Sequence, residues 1–287
     1  MWLIFLFGYY IFGSWSNLQL RLLAKDLQQH NRLINAIVGV LFLLPVGILL
    51  GLYFPHDLDI GLTDYLLLIG GGFIWPLSAL LLFRANKLLD AGVVATFGNI
   101  SPVVAIVLGV GLLVESLSLL QLFASFLLVT SGLILAPELI RSHKSRSLNE
   151  LLVGVLAATT IGVAIVFERF MLTRIDFGTY LIFGWGFQVL WYVIIARKKL
   201  PYLGEIFADS KKRNGVLKFG LLAIVRSVFF ISALNLASGA SIVAPAAKLV
   251  TVFTVLASVL ILKEKDHLLE KILATVVGII GLILISI

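Results

Sequence analysis

The stretch "GVVATFGNISPVVAIVLGVGLLVESLSLLQ" at residues 92–121 decides the fold, because "SIVAPAAKLVTVFTVLASVLILKEKDHLLE" at 241–270 lies under it without a gap at an offset of 149 residues. Identical pairs include Val94/Val243, Ala95/Ala244, Val103/Val252, Glu115/Glu264 and Leu119/Leu268. The register runs on to Gly132/Gly281 and Leu135/Leu284, and back to Gly13/Gly162. Single identities between apolar helices carry little weight. One offset that superposes loops, glycines and glutamates together marks an internal repeat. The copies are expected at residues 1–137 and 150–287, with the polar stretch 138–149 as linker.

Each copy holds five apolar runs close to the ~20 residues that cross a hydrocarbon core. The spans are expected at 2–20, 33–54, 62–83, 91–113, 118–137, 150–171, 178–196, 215–235, 240–262 and 268–286. Ser118 and Gln121 have the spacing of a capping box before the fifth. Five is an odd number, so the second copy enters the membrane from the other side. The expected fold is all-α, a polytopic membrane protein of ten transmembrane helices in two inverted five-helix repeats, the plan of many secondary transporters.

Composition agrees with that class. Hydrophobic residues make up 60% of the 287, charged residues 13%, and the mean hydropathy is +1.10. A soluble domain cannot hide so much apolar surface. The first run has no basic leader and no small-x-small cleavage site, so it reads as a retained span. Cysteine is absent and the four histidines are scattered through polar segments, so no disulfide, thiol or metal site is expected. There is no phosphate-cradling glycine loop and no catalytic constellation, so neither a nucleotide-driven pump nor an enzyme is expected, and no cofactor.

The net charge of +7 points to orientation rather than to nucleic acid. Eighteen of the 22 Lys and Arg fall in the loops after spans one, three, five, seven and nine or in the first four residues of the span that follows. The positive-inside rule places those loops in the cytoplasm and both termini outside.

Two five-helix halves, each closing on an apolar helix, a short glutamate turn and a last apolar helix, resemble the EamA-type transporters of the drug/metabolite transporter superfamily. The segments that carry the resemblance are "DAGVVATFGNISPVVAIVLGVGLLVESLSLLQLFASFLLVTSGLIL" and "ASGASIVAPAAKLVTVFTVLASVLILKEKDHLLEKILATVVGIIGLIL". The resemblance implies secondary transport, often export, of a small metabolite through a central cavity between the halves, in a prokaryotic plasma membrane. It also implies cytoplasmic termini, against the charge count, so sidedness stays open. Ser101-Pro102-Val103 follows the family's pattern in the fourth helix, whereas Thr251 stands at the matching place in the ninth and Pro245 lies six residues earlier.

Polar groups inside apolar spans are the candidates for a site, because a charge at mid-membrane costs at least about 2.5 kcal/mol. Lys248 and its repeat mate Asn99 head two stripes at helical spacing: Gly92, Thr96, Asn99, Pro102 and Ser241, Pro245, Lys248, Thr251. Arg226 sits near the middle of the eighth span and can hold a carboxylate or phosphate, or pair with Glu168. Glu168 is a candidate coupling-ion site or a solvated loop-end residue. Trp75, Gln188 and Asn17 complete the expected substrate-binding set, with Trp185, Gln188 and Tyr192 on one helix face. Pro76, Pro102 and Pro245 are expected to bend their helices. Glu115 and Glu264 read as turn and cap residues.

The expected function is secondary transport, by alternating access, of a small polar metabolite such as an amino acid or organic anion. Two other readings stand beside it: a carrier or flippase for a lipid-linked or nucleotide-linked sugar, and a membrane scaffold without transport. The expected partners are a small-molecule substrate and the lipid bilayer, with monomer against homodimer undecided.

Overall fold

The computed structural model describes residues 1–26, 31–89, 94, 97–134, 148–254 and 268–287. The linker from 138 to 147, Thr96, Gly92 and Glu264 lie outside them. All regular structure among the described residues is helical.

In chain order, α1 is Trp2–Asp26, and α2 runs Asn31–Val38, through a π-helical turn Gly39–Leu43, to Leu44–Tyr53. Next, α3 is Leu62–Gly71 with Ile74–Leu88, α4 is Ile100–Leu112 and α5 is Leu119–Ile134. The second half has α6 at Leu148–Leu172 and α7 from Phe177–Thr179 through a π-helical turn Tyr180–Gly184 to Trp185–Ala196. It closes with α8 at Ser210–Leu236, α9 at Ala240–Ala247 and on to Thr254, and α10 at Leu268–Ile285. Five described stretches are long and apolar enough to cross a membrane: Arg32–Tyr53, Leu62–Leu88, Leu148–Leu172, Phe177–Ala208 and Ser210–Leu236. Four shorter apolar helices accompany them. The outer faces carry exposed Leu66, Val107, Phe126, Leu221 and Ile283, a surface suited to lipid tails.

Local chemistry sets the ends and the breaks. Ser118 and Gln121 exchange backbone-to-side-chain hydrogen bonds of 3.1 Å each, the capping box read from the sequence. Pro76 follows the interruption at Gly72 and Phe73, and its missing N–H leaves the carbonyl of Gly72 without its helical donor. Pro102 does the same to Gly98, whose carbonyl instead accepts from the Ser101 hydroxyl at 2.9 Å. Pro245 precedes a turn at Lys248. Asn99 and Lys248, equivalent at the 149 offset, thus both sit at a break in their helices.

The segment after α7, expected as loop, is helical instead. A 3₁₀ stretch Arg197–Tyr202 and a helix Leu203–Ala208 lead to Asp209, which caps α8 by accepting from the N–H groups of Lys211 (2.9 Å) and Lys212 (3.2 Å). These two backbone bonds, Lys212's first, hold the Asp209 carboxyl below the usual carboxylate range. Ile206 is buried with Leu33, Ile34, Val216 and Phe219, which anchors the segment.

The helices pair in a pattern that recurs when each number is advanced by five. Helix α1 runs parallel to α9, with Tyr10 near Ala246, Ser14 near Val250 and Asn17 near Thr254. Helix α6 runs parallel to α4, with Gly154 on Phe97 and Gly162 on Ser101 and Val104. Gly13 meets Val250 and Gly162 meets Ser101, two contacts that are each other's counterparts at the 149 offset. Antiparallel pairs follow the same rule: α1 with α8 through Gly8/Phe229 and Leu23/Gly215, and α3 with α6 through Gly71/Phe167 and Leu89/Gly154.

Candidate functional site

Helix α7 gathers the polar groups of the interior. Its π-helical turn puts Tyr180 at the start of a face that continues through Gly184, Gln188 and Tyr192. π-Helical turns often occur at functional sites because they re-aim the side chains around them. Tyr180 donates to Glu168 Oε1 at 3.0 Å, and the Trp75 indole of α3 also faces that carboxylate. Glu168 is only 4% exposed, and its Oε2 has no partner among the described residues. The expected loop-end solvation of Glu168 is therefore incorrect. Helix α6 runs on to Leu172, which leaves Glu168 a full turn inside the bundle.

Beside this carboxylate is a cavity of about 10 Å³ among Gly72 and Trp75 of α3, Ala164 and Phe167 of α6, and Tyr180 and Gln188 of α7. That volume suits about one water molecule. Gln188 donates onward to the Tyr192 hydroxyl at 3.4 Å. The Tyr192 phenol lies within reach of the charges of both Arg226 and Glu168. Arg226 donates to Asn17 Oδ1 at 3.1 Å, and Asn17 donates to Thr254 Oγ1 at 3.4 Å. Arg226 also lies close enough to Tyr9 for its charge to be felt there. The expected Arg226–Glu168 ion pair is not made. Glu168 with Tyr180, Gln188 with Tyr192, and Arg226 with Asn17 make up a polar path through the interior.

Five sequence candidates thus meet on one path: Trp75, Gln188, Glu168, Arg226 and Asn17. The other three described candidates do not join it. Asn99 is buried against Gly132 of α5 with its Nδ2 unpartnered. No hydrogen bond or ion pair of Lys248 Nζ is made with any described residue, and no contact links it to Arg226. Ser241 sits where α9 approaches Gly109 of α4, with its hydroxyl unpartnered. Trp185 packs against Gly47 of α2, the helix whose Gly39 Tyr192 also meets, and it does not line the cavity. Tyr180 went unnoticed in the sequence. Its partner is twelve residues away across a turn, and no periodicity links the two.

Glu115 is a cap, as its sequence position suggested, but of another helix. Its two oxygens accept from the N–H groups of Ala240 (2.8 Å) and Ser241 (2.9 Å) at the start of α9.

Residues 148–287 match the model of the EamA-like transporter family. No curated protein matches the chain. A solved structure described only as a protein crystal structure superposes with a TM-score of 0.74, covering 99% of this chain and 98% of its own, at 16% identity. At that identity the likeness is one of fold.

Proposed function

We propose that the chain, whose residues 148–287 match the EamA-like transporter family, is a membrane transporter of that type and, more narrowly, a secondary transporter of a small polar metabolite. The substrate is an organic anion or an amino-acid-like zwitterion, moved by alternating access between two inverted five-helix repeats, 1–137 and 150–287, in a prokaryotic plasma membrane. The paired contacts of Gly13 with Val250 and Gly162 with Ser101 support the repeat, since the residues on each side are equivalent at the 149 offset.

One observation carries the transport reading: a charged path lies inside an apolar bundle with one end only partly satisfied. Ionisable groups are retained at such depth where they serve a site. Among the described residues Arg226 gives one of its five donors to Asn17, and the other four suit a carboxylate or phosphate. Trp75, Gln188 and Asn17 complete that contact set, and Glu168 holds the coupling proton on its orphan oxygen. Lys248, Asn99 and Ser241 form a second polar set along the α4–α9 seam, and Thr96 belongs with them by sequence. Pro76, Pro102 and Pro245 supply the bends by which the halves rock.

The test is flux. Proteoliposomes holding the purified protein are loaded with radiolabelled anionic, zwitterionic or cationic metabolites, and release is followed with and without a pH gradient. Gradient-dependent release of an anionic or zwitterionic class is the expected result. Release of none, or of cations alone, defeats the reading.

A further inference from the structure

The turn between α8 and α9 is held by two oppositely charged side chains from other helices. Arg169 of α6 donates to the carbonyls of Leu234 (3.0 Å), Asn235 (3.3 Å) and Ser238 (3.3 Å) at the end of α8. Glu115, from the α4–α5 turn, closes both oxygens on the first two N–H groups of α9. Each charge opposes the dipole end it meets, cation at a helix C-terminus and anion at a helix N-terminus. A Cβ added to Gly109 would meet Glu115 Oε2 at 2.5 Å, and one added to Gly239 would meet Glu115 Cδ at 2.5 Å. The glutamate is threaded through a slot between two helices that only glycine leaves open.

The backbone is strained to deliver it. Val114, immediately before Glu115, has φ 55°, the only left-handed non-glycine residue among those described. A β-branched side chain is a genuine outlier in that region, and such outliers cluster where a structure switches or clamps. Val114 is also 85% exposed, so no packing of its own side chain explains the conformation.

We propose that the Glu115–Arg169 clamp is the gate on this face of the protein, and that its release opens the route to the Glu168 cavity. The inference rests on the transport reading above. Arg169 and Glu168 are consecutive, so the last turns of α6 carry the clamp on one side and the site on the other. Glu168 lies about one turn below the end of that helix. In the closed state the clamp ties α6, α8 and α9 to the α4–α5 turn, and the cavity beneath admits about one water molecule. Swinging the end of α6 away from α7 to widen the cavity pulls Arg169 from its three carbonyls. Moving the α4–α5 turn frees the start of α9.

The absence of cysteine from the whole chain makes the test direct. A single reporter, Gln188→Cys, is placed in the cavity wall, and its reaction with a membrane-impermeant methanethiosulfonate is timed in nanodiscs. Added to the reporter, Glu115→Gln removes the charge, and Gly239→Ala keeps the charge but pushes the carboxylate off α9. Ser118→Ala, which breaks only the neighbouring capping box, is the control. The expected result is labelling faster by about tenfold or more in both clamp variants, the scale of one lost charge-assisted hydrogen bond, with the control unchanged. Clamp variants that melt earlier yet label at the reporter's own rate would reduce Glu115 to a structural cap and overturn the proposal. If Glu115→Gln fails to fold, Gly239→Ala decides alone by the same readout. Labelling needs no solute, so faster labelling in a protein that moves no solute leaves the gate standing and removes the transport reading.

Discussion

The α7 path and the α4–α9 seam both bury polar groups in an apolar bundle, but they relate to the repeat in opposite ways. On the seam, Asn99 and Lys248 are repeat equivalents, and both sit at breaks in their helices. On the path, the groups have no polar counterpart of like kind: Glu168 answers to Gln19, Arg226 to Leu77, Gln188 to Gly39, Tyr192 to Leu43 and Trp75 to Ile224. The 149 offset pairs like with like at the helix breaks of the seam, whereas the charged groups of the path stand opposite unlike residues. The seam supplies bends and close helix approach, and the path supplies charge.

The largest contrast is expected at the two charges of the path, buried Glu168 and half-buried Arg226. Glu168→Gln keeps the shape and can still accept from Tyr180, but it cannot exchange a proton. Gradient-driven flux should fall by more than about tenfold with the folded yield intact, as befits loss of a charge-assisted contact. A variant that transports normally would strip Glu168 of its role. Next, Arg226→Leu strands the Asn17 amide and should destabilise the protein by about 1–3 kcal/mol. Adding Asn17→Leu should return part of that loss, and a double-mutant cycle reads the coupling directly. Independent, additive losses would mean the 3.1 Å contact does no work.

The seam predicts the opposite sign. With no partner for Lys248 Nζ among the described residues, Lys248→Met should raise the melting temperature in detergent, recovering up to about 2.5 kcal/mol of burial cost. A marked loss of stability would show that the ammonium holds something together. The smallest effect is at the protein surface. Asp209 is held below its ordinary value, so its contribution to stability is full above about pH 4 and fades as pH falls through the lower, folded value. Asp209→Asn keeps a capping oxygen but does not titrate, so its melting temperature should vary less with pH in that acid range than the wild type's does.

Much of the scaffold was legible because membrane spans are long, apolar and punctuated. Helix α2 and the start of α5 lie within two residues of the expected spans, α3 runs five residues past its expected end, and the Ser118–Gln121 box closes as read. The α7–α8 connection was misread because its order comes from tertiary burial: Ile206 and Leu203 dock on α2 and α8, contacts absent from the local pattern. In the site, Arg226, Trp75, Gln188 and Asn17 could be found as polar or aromatic residues in apolar runs. The partners of Glu168 could not. Its burial depends on how far α6 continues and on a π-helical turn that brings Tyr180 back, and neither follows a simple period. Lys248 is conspicuous in the sequence for its charge, but it makes no ion pair or hydrogen bond through Nζ with any described residue.

The measurement that most directly tests the division between path and seam is a thermal-shift screen of purified wild type, Arg226→Gln and Lys248→Gln against anionic, zwitterionic and cationic metabolites. A solute that binds the folded state raises its apparent stability by mass action. The account predicts that one anionic or zwitterionic class stabilises the wild type and Lys248→Gln alike and leaves Arg226→Gln unmoved. A shift that survives in Arg226→Gln and disappears in Lys248→Gln would place the solute on the seam and contradict it.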